Sequence, residues 1–246
     1  MATSRKLPRI GGCFACALDG CFGSHDAALN EPYVDGGAGV LYYDDEKVAN
    51  FCKEANRAGL QIELHAIGDQ AFDQACRALK AALEDSPRAD HRHGIIHDCL
   101  PTEEGIRICR DYHIQMPVQS AFIGWEQEPD AYLETILGQE RLQKLNPIRT
   151  FRDNGIVVSF GSDAPCTTPD PISDYSARWE PLVRRTGNRE SGHSETAAPG
   201  AGSQQPGAGF YGIVIRSAPD PVHILHALSG SWQDPSERYL SYRHHA

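Results

Sequence analysis

The stretch LQIELHAIGDQAFDQACRALKAALED, residues 60–85, decides the fold. It opens as a short apolar run that ends on His65, and from Asp69 onward apolar residues recur with a helical period. A buried strand followed at once by an amphipathic helix is half of a βαβ unit. Asp69 stands where a helix N-cap is expected, and Gly68 predicts a tight backbone turn after the strand. The strand stops on an imidazole, which admits two readings. One is a metal ligand at the C-terminal mouth of a parallel sheet; the other is a structural histidine held by hydrogen bonds.

The same alternation extends to both sides. CFACALDG (13–20) reads as a strand closing on Asp19 and Gly20, and DEKVANFCKEANRAG (45–59) as a helix with Gly59 at its C-terminal end. HGIIH (93–97) is strand-like, TEEGIRICRDY (102–112) a short helix capped by Thr102, and IQMPVQ (114–119) a strand that Pro117 marks as irregular. ILGQERLQKLNPIRTFRDNG (136–155) reads as largely helical with a break at Pro147, and IVVSFGSDAP (156–165) opens with the clearest buried strand. Strands that alternate with helices predict a parallel α/β sheet with crossover connections. After about residue 178 the character changes: RRTGNRESGHSETAAPGAGSQQPGAG (184–209) is rich in Gly, Ser and Pro, a composition expected to be disordered. The organisation is therefore a domain over residues 1–178 and a low-complexity tail over 179–246, in which FYGIVIRS (210–217) is a candidate strand without an evident partner.

Composition narrows the function classes. The chain has 246 residues, 40% hydrophobic and 23% charged, enough to bury a sizeable core. A net charge of −10 argues against nucleic acid as a partner, because phosphate contacts need clustered Lys and Arg. No apolar run approaches the roughly 20 residues of a membrane-spanning helix, and MATSRKLPRIGG lacks the apolar centre of a secretory signal, so a cytoplasmic location is expected. The eight cysteines are irregularly spaced, and the Cys13–Cys16 pair lacks a second pair at zinc-finger spacing. They are expected to be small buried hydrophobes.

Three strand ends carry groups suited to chemistry: His65, His97 and Asp163. In parallel α/β folds the C-terminal strand ends form the functional face. Two imidazoles and a carboxylate suit a borderline-soft divalent metal such as zinc, and Asp163 could act both as a ligand and as a proton acceptor. Each alone has an ordinary alternative; GSDAP, for example, is a good turn sequence. Asp19, Asp69, Gln119 and Ser162 are further pocket candidates, with Asp69 open to a capping role, Gln119 to a structural hydrogen bond and Ser162 to orienting the turn around Asp163.

GLQIELHAIGDQAFDQACRAL, RHGIIHDCLPTEEGIRICRDYHIQMPVQSAF and NPIRTFRDNGIVVSFGSDAPCTTPDPI, with LDGCFGSHDAALNEPYVDGGAGVLYYDDEKV upstream, together resemble the metal-dependent amidohydrolase superfamily. The resemblance is to its third family, in the branch of the N-substituted formamide deformylases, and covers roughly residues 10–178. It implies a (β/α)₈ barrel of which this chain holds the fourth to eighth strands. It also implies that His65 and His97 are the fifth- and sixth-strand metal ligands, and that Asp163 is the eighth-strand aspartate that takes a proton from the attacking water. Relatives hydrolyse amide, formamide and related C–N bonds of small molecules through a metal-activated water.

The chain departs from the family pattern in four places. It has no first-strand His-x-His; HRH at 91–93 fits the letters but lies in a polar stretch before a strand. Ala15 aligns with the fourth-strand lysine that bridges two metals in relatives, and Ile96 precedes His97 where the family usually has Glu. The tail matches nothing familiar. A barrel lacking strands leaves unpaired edges that invite association, so the alternatives for such a partial barrel are marginal stability, a homo-oligomer or an incomplete fold, and a remnant without activity or a small-molecule binding domain are the competing readings of its function.

Overall fold

The computed structural model describes residues 8–12, 16–123 and 125–167, together with the backbone of 214–215. The expectations placed on Cys13, on Ala15, on the boundary near 178 and on the low-complexity tail lie outside the described residues.

Among the described residues six strands and six α-helices are formed: β1 (Arg9–Gly11), α1 (Asp45–Arg57), β2 (Gln61–Ala66), α2 (Asp69–Asp85), β3 (Gly94–His97), α3 (Glu103–Asp111), β4 (Met116–Val118), α4 (Asp130–Leu137), α5 (Gln139–Lys144), α6 (Ile148–Asp153), β5 (Val158–Phe160) and β6 (Val214–Ile215). β1 pairs with β2 and β2 with β3, both parallel. β4 pairs in parallel with β5, which takes β6 as an antiparallel neighbour. A parallel bridge between Gly94 and Gln115 joins the two sheets, so β1 to β5 follow one another as a parallel arc. Val214–Ile215, the described part of the candidate strand at 210–217, thus has a partner at the edge of β5.

Helix formation follows the sequence pattern. The Asp44 carboxylate caps α1 by accepting from Lys47 N at 2.7 Å, and Thr102 Oγ1 caps α3 by accepting from Gly105 N at 2.9 Å. α2 buries Ala71, Phe72, Ala75, Cys76, Leu79 and Ala82, while every residue of β2 is buried. Two-sided burial is what a parallel strand covered by crossover helices requires. The main core joins Ile62, Leu64, Ile95, Met116, Val118 and Val158 of the arc to Phe72 and Phe151 of the helices. Each such side chain contributes about 1.5–3 kcal/mol on burial. A second apolar cluster, including Phe22, Leu29, Tyr33, Leu100, Leu133 and Leu137, is built from segments that leave the C-terminal ends of β1, β3 and β4.

Four local expectations are corrected. Ala17 makes a lone parallel bridge to His65, and the regular strand lies earlier, at Arg9–Gly11. The helical stretch begins at Asp130 and breaks at Gly138, whose φ of 80° no other residue type adopts readily. Asp69 is not the cap of α2; Gly68 occupies that position, and the Asp69 carboxylate accepts from Asn30 N at 2.9 Å instead. Gly68 itself has an ordinary φ of −78°. What it supplies is close approach, because a Cβ there would lie 2.0 Å from the Ala28 carbonyl oxygen.

Candidate functional site

His65 is the fifth residue of β2 and His97 the last of β3. In the parallel register His65 is opposite Ile96, and Ala66 opposite His97, so the two imidazoles sit one step apart on neighbouring strands. Their rings meet edge to face with centroids 4.6 Å apart. Asp163 follows β5 by three residues, and its Oδ2 reaches to 3.9 Å from His97 Nε2. Groups from residues 65, 97 and 163 therefore converge because three strands end on the same side of the arc.

The backbone marks the same place. Among the described non-glycine residues with positive φ are His97 at 78°, Asp98 at 51° and Asp163 at 54°. Such conformations cost of order 1–3 kcal/mol each and persist where the surroundings over-determine them, commonly at functional sites. His97 is 3% exposed, and burial, followed by the nearby His65 ring, pushes its pKa well below the usual imidazole value. Its ring is therefore neutral near pH 7 and keeps a lone pair. Phe122, in a 3₁₀ turn after β4, lies 5.8 Å from the His97 ring, and Trp125 stacks on Phe122 edge to face at 4.9 Å.

The four other pocket candidates divide. Asp19 is buried directly behind His65. Its Oδ2 accepts from Ala28 N at 2.9 Å and Gly68 N at 2.8 Å; its Oδ1 accepts from Ile67 N at 3.0 Å and lies 3.5 Å from His65 Nδ1. Gln119 is buried beyond the end of β4: its amide nitrogen donates to the Pro117 carbonyl at 3.1 Å, while its Oε1 has no hydrogen-bond partner. Ser162 acts through its backbone, whose carbonyl accepts the Thr167 hydroxyl in the turn that carries Asp163. The Asp69 carboxylate is engaged by Asn30 N.

The sequence reading missed Asp98. This carboxyl is fully buried beside His97, neither oxygen has a hydrogen-bond partner, and burial drives its pKa well above the carboxylate range. A protonated, neutral acid is the form such a site tolerates.

HRH at 91–93, set aside as a ligand pair, has a structural role instead. His93 Nδ1 accepts from Ile62 N at 3.0 Å, which places the ring proton on Nε2, 3.1 Å from Asn56 Oδ1. The Asn56 orientation is fixed in turn, since its Nδ2 donates to the carbonyls of Ala82 and Ser86 at 2.8 and 2.7 Å. His91 repeats the pattern, accepting from His93 N at 2.9 Å and donating Nε2–H to Tyr112 O at 2.9 Å. These rings tie β2, β3 and the helices together at the N-terminal end of β3.

For a metal, the donors fit in kind but not in number. Two donors that share a zinc ion at about 2.0–2.1 Å stand somewhat over 3 Å apart, close to the 3.9 Å between His97 Nε2 and Asp163 Oδ2. Yet among the described residues no three His, Cys, Asp or Glu side chains are grouped so that they could hold an ion.

Residues 11–188, well over half of the chain, match the family model described as "Amidohydrolase family". The chain belongs to this family. Curated relatives agree with that placement. The chain is 28% identical over 186 residues to putative amidohydrolase YtcJ of Bacillus subtilis (strain 168), covering 74% of this chain and 33% of that protein. It is 28% identical over 150 residues to N-substituted formamide deformylase of Arthrobacter pascens, covering 60% of this chain and 26% of the other. The chain thus spans about a third or less of the length of these relatives. Two solved structures share its fold: uncharacterized metal-dependent hydrolases from Pyrococcus furiosus, with TM-score 0.57, 23% identity and coverage of 72% and 37%, and from Pyrococcus horikoshii OT3, with TM-score 0.58, 24% identity and coverage of 75% and 39%. The partial TIM-type (β/α)₈ barrel expected from the sequence is the architecture found. No helix among the described residues is long and apolar enough to cross a membrane.

Proposed function

We propose that this chain carries part of the barrel of a metal-dependent hydrolase that cleaves carbon–nitrogen bonds other than peptide bonds in small amide- or formamide-type substrates. The observation that carries this reading is that His97 meets His65 on one side and Asp163 on the other at strand ends, with His97 and Asp163 on left-handed backbone. His65 and His97, with the Asp163 carboxylate, would hold a divalent ion, zinc by the character of the donors. Such an ion supplies a Lewis acid that lowers the pKa of water to about 7. His97 is kept neutral by its burial and so presents a nitrogen lone pair. Asp163 takes a proton from the attacking water as general base and returns it to the departing nitrogen. Phe122 lies beside the His97 ring and Trp125 packs against Phe122, giving that side of the site an aromatic face.

A second reading is a barrel remnant without turnover, and the missing group of three donors favours it. Amine release from N-substituted formamides and simple amides, measured with zinc or manganese supplied to the full chain, separates the two. The hydrolase reading expects turnover that drops by about 100- to 10,000-fold in Asp163→Asn, the usual worth of a general base. A folded, metal-supplied protein with no turnover on any of them supports the remnant.

A further inference from the structure

α2 and α3 approach each other closely. Phe72 and Cys76 lie one helical turn apart on α2, Gly105 and Cys109 one turn apart on α3, and the two pairs face each other across the contact. Gly105 permits the approach: a Cβ there would lie 2.3 Å from the Phe72 ring and 3.1 Å from Cys76 Sγ. The result is two fully buried free thiols, Cys76 and Cys109, with their sulfurs 3.5 Å apart although the residues are 33 positions apart in the chain. Cys76 Sγ also lies 3.6 Å from the Gly105 carbonyl oxygen. A carbonyl only accepts, so Cys76 donates its proton there and Cys109 donates to the Cys76 sulfur.

We propose that Cys76 and Cys109 form a redox-sensitive cross-link between α2 and α3, closed by hydrogen peroxide and reopened by a thiol. To reach the roughly 2.05 Å of a disulfide the sulfurs need to close by only about 1.5 Å. One thiol, as its thiolate, attacks the peroxide and becomes a sulfenic acid, releasing one water; the other attacks that sulfur and expels its oxygen as a second water. The two thiols lose two protons and two electrons in forming the S–S bond, and the peroxide takes them up. The closed packing slows the first step, because burial first, then the neighbouring Cys109, holds the Cys76 thiol well above its ordinary range, and the thiolate is the reactive form. Reaction therefore proceeds as α3 lifts from α2. α3 has 9 residues against 17 in α2, and so short a helix is held by its packing rather than by its own propensity. Once closed, the bond ties the helix that follows His65 to the helix that follows His97. It needs no metal and no turnover, so it stands apart from the proposed hydrolysis.

The test treats the reduced full-length protein with hydrogen peroxide at low protein concentration, alkylates the remaining thiols under denaturing conditions, and maps peptides by mass spectrometry without reduction. Oxidation of the exposed Cys166 shows that the peroxide has acted. The expected result is a pair of peptides joined through Cys76 and Cys109, missing in Cys109→Ala and released by dithiothreitol. The cross-linked wild type should melt about 5–15 °C above the reduced protein, while peroxide gives Cys109→Ala no such rise. Cys76 and Cys109 both recovered as free thiols once Cys166 is oxidised, either of them joined to a different cysteine instead, or a cross-linked protein with an unchanged melting temperature overturns the proposal. If Cys109→Ala does not fold, the wild-type peptide map and melt decide.

Discussion

Lowering the pH from 7 to 5 should weaken this fold through His93, and the size of the effect can be worked from its surroundings. His93 is fully buried, and burial first, then His91 and Arg88, pushes its pKa down to about 3 from 6.5. The geometry gives the reason: Nδ1 already accepts the Ile62 N–H, so a second ring proton would set two donors face to face. The folded protein therefore keeps this ring neutral, while the unfolded chain protonates it below about pH 6.5. A histidine with a depressed folded pKa contributes no pH dependence above that value, and stability falls as pH drops toward the folded pKa. The slope is about 1.4 kcal/mol per pH unit, so pH 5 removes roughly 2 kcal/mol. That is a sizeable share of a typical 5–15 kcal/mol. Urea midpoints at the two pH values, for wild type and His93→Gln, provide the assay. Gln can accept from Ile62 N and donate to Asn56 without titrating. The variant should be less stable at pH 7 yet lose roughly 2 kcal/mol less than wild type on going to pH 5. Equal losses in both proteins would refute the reasoning.

Two further substitutions test the packing and the strain. Gly105→Ala should destabilise by about 1–3 kcal/mol in thermal melts, although alanine is the better helix former, because the new Cβ would lie 2.3 Å from the Phe72 ring; a gain in Tm would show that the two helices can part without cost. Asp163→Gly should raise the unfolding free energy from urea titration by about 1 kcal/mol by releasing a φ of 54°, while abolishing any hydrolysis. A loss of stability there would mean that the Asp163 side chain contributes more to the fold than its strained backbone costs.

How far the sequence could be read depended on the range of the interactions involved. Helices α1, α2 and α3 were legible because period and end signals are local: Thr102 and Gly59 act within a few residues of the ends they define. His65 and His97 stood out because an imidazole at the end of an apolar strand is a local anomaly, and the parallel register then brings them together. What was not legible depends on partners far along the chain. Nothing near Asp19 announces that residues 28, 67 and 68 will donate to it, and nothing near HRH names Ile62, Asn56 and Tyr112 as its partners. Gly68 was noticed for the wrong reason: the sequence suggests a turn, whereas the constraint is a carbonyl from another loop. Asp98, between a histidine and a cysteine, gave no sign that it would be buried without a partner. The start of α4 was missed because AYLE, following Pro129 and Asp130, presents only one helical turn before Thr135.

The account's central claim is that His65, His97 and Asp163 make a metal-dependent site. The most direct test is the metal content per chain of the purified 246-residue protein after dialysis without chelator, by elemental analysis, beside a folded His65→Ala variant. The account predicts close to one equivalent of zinc in the wild type and none in the variant. A folded wild type without metal, or zinc retained in His65→Ala, would contradict it.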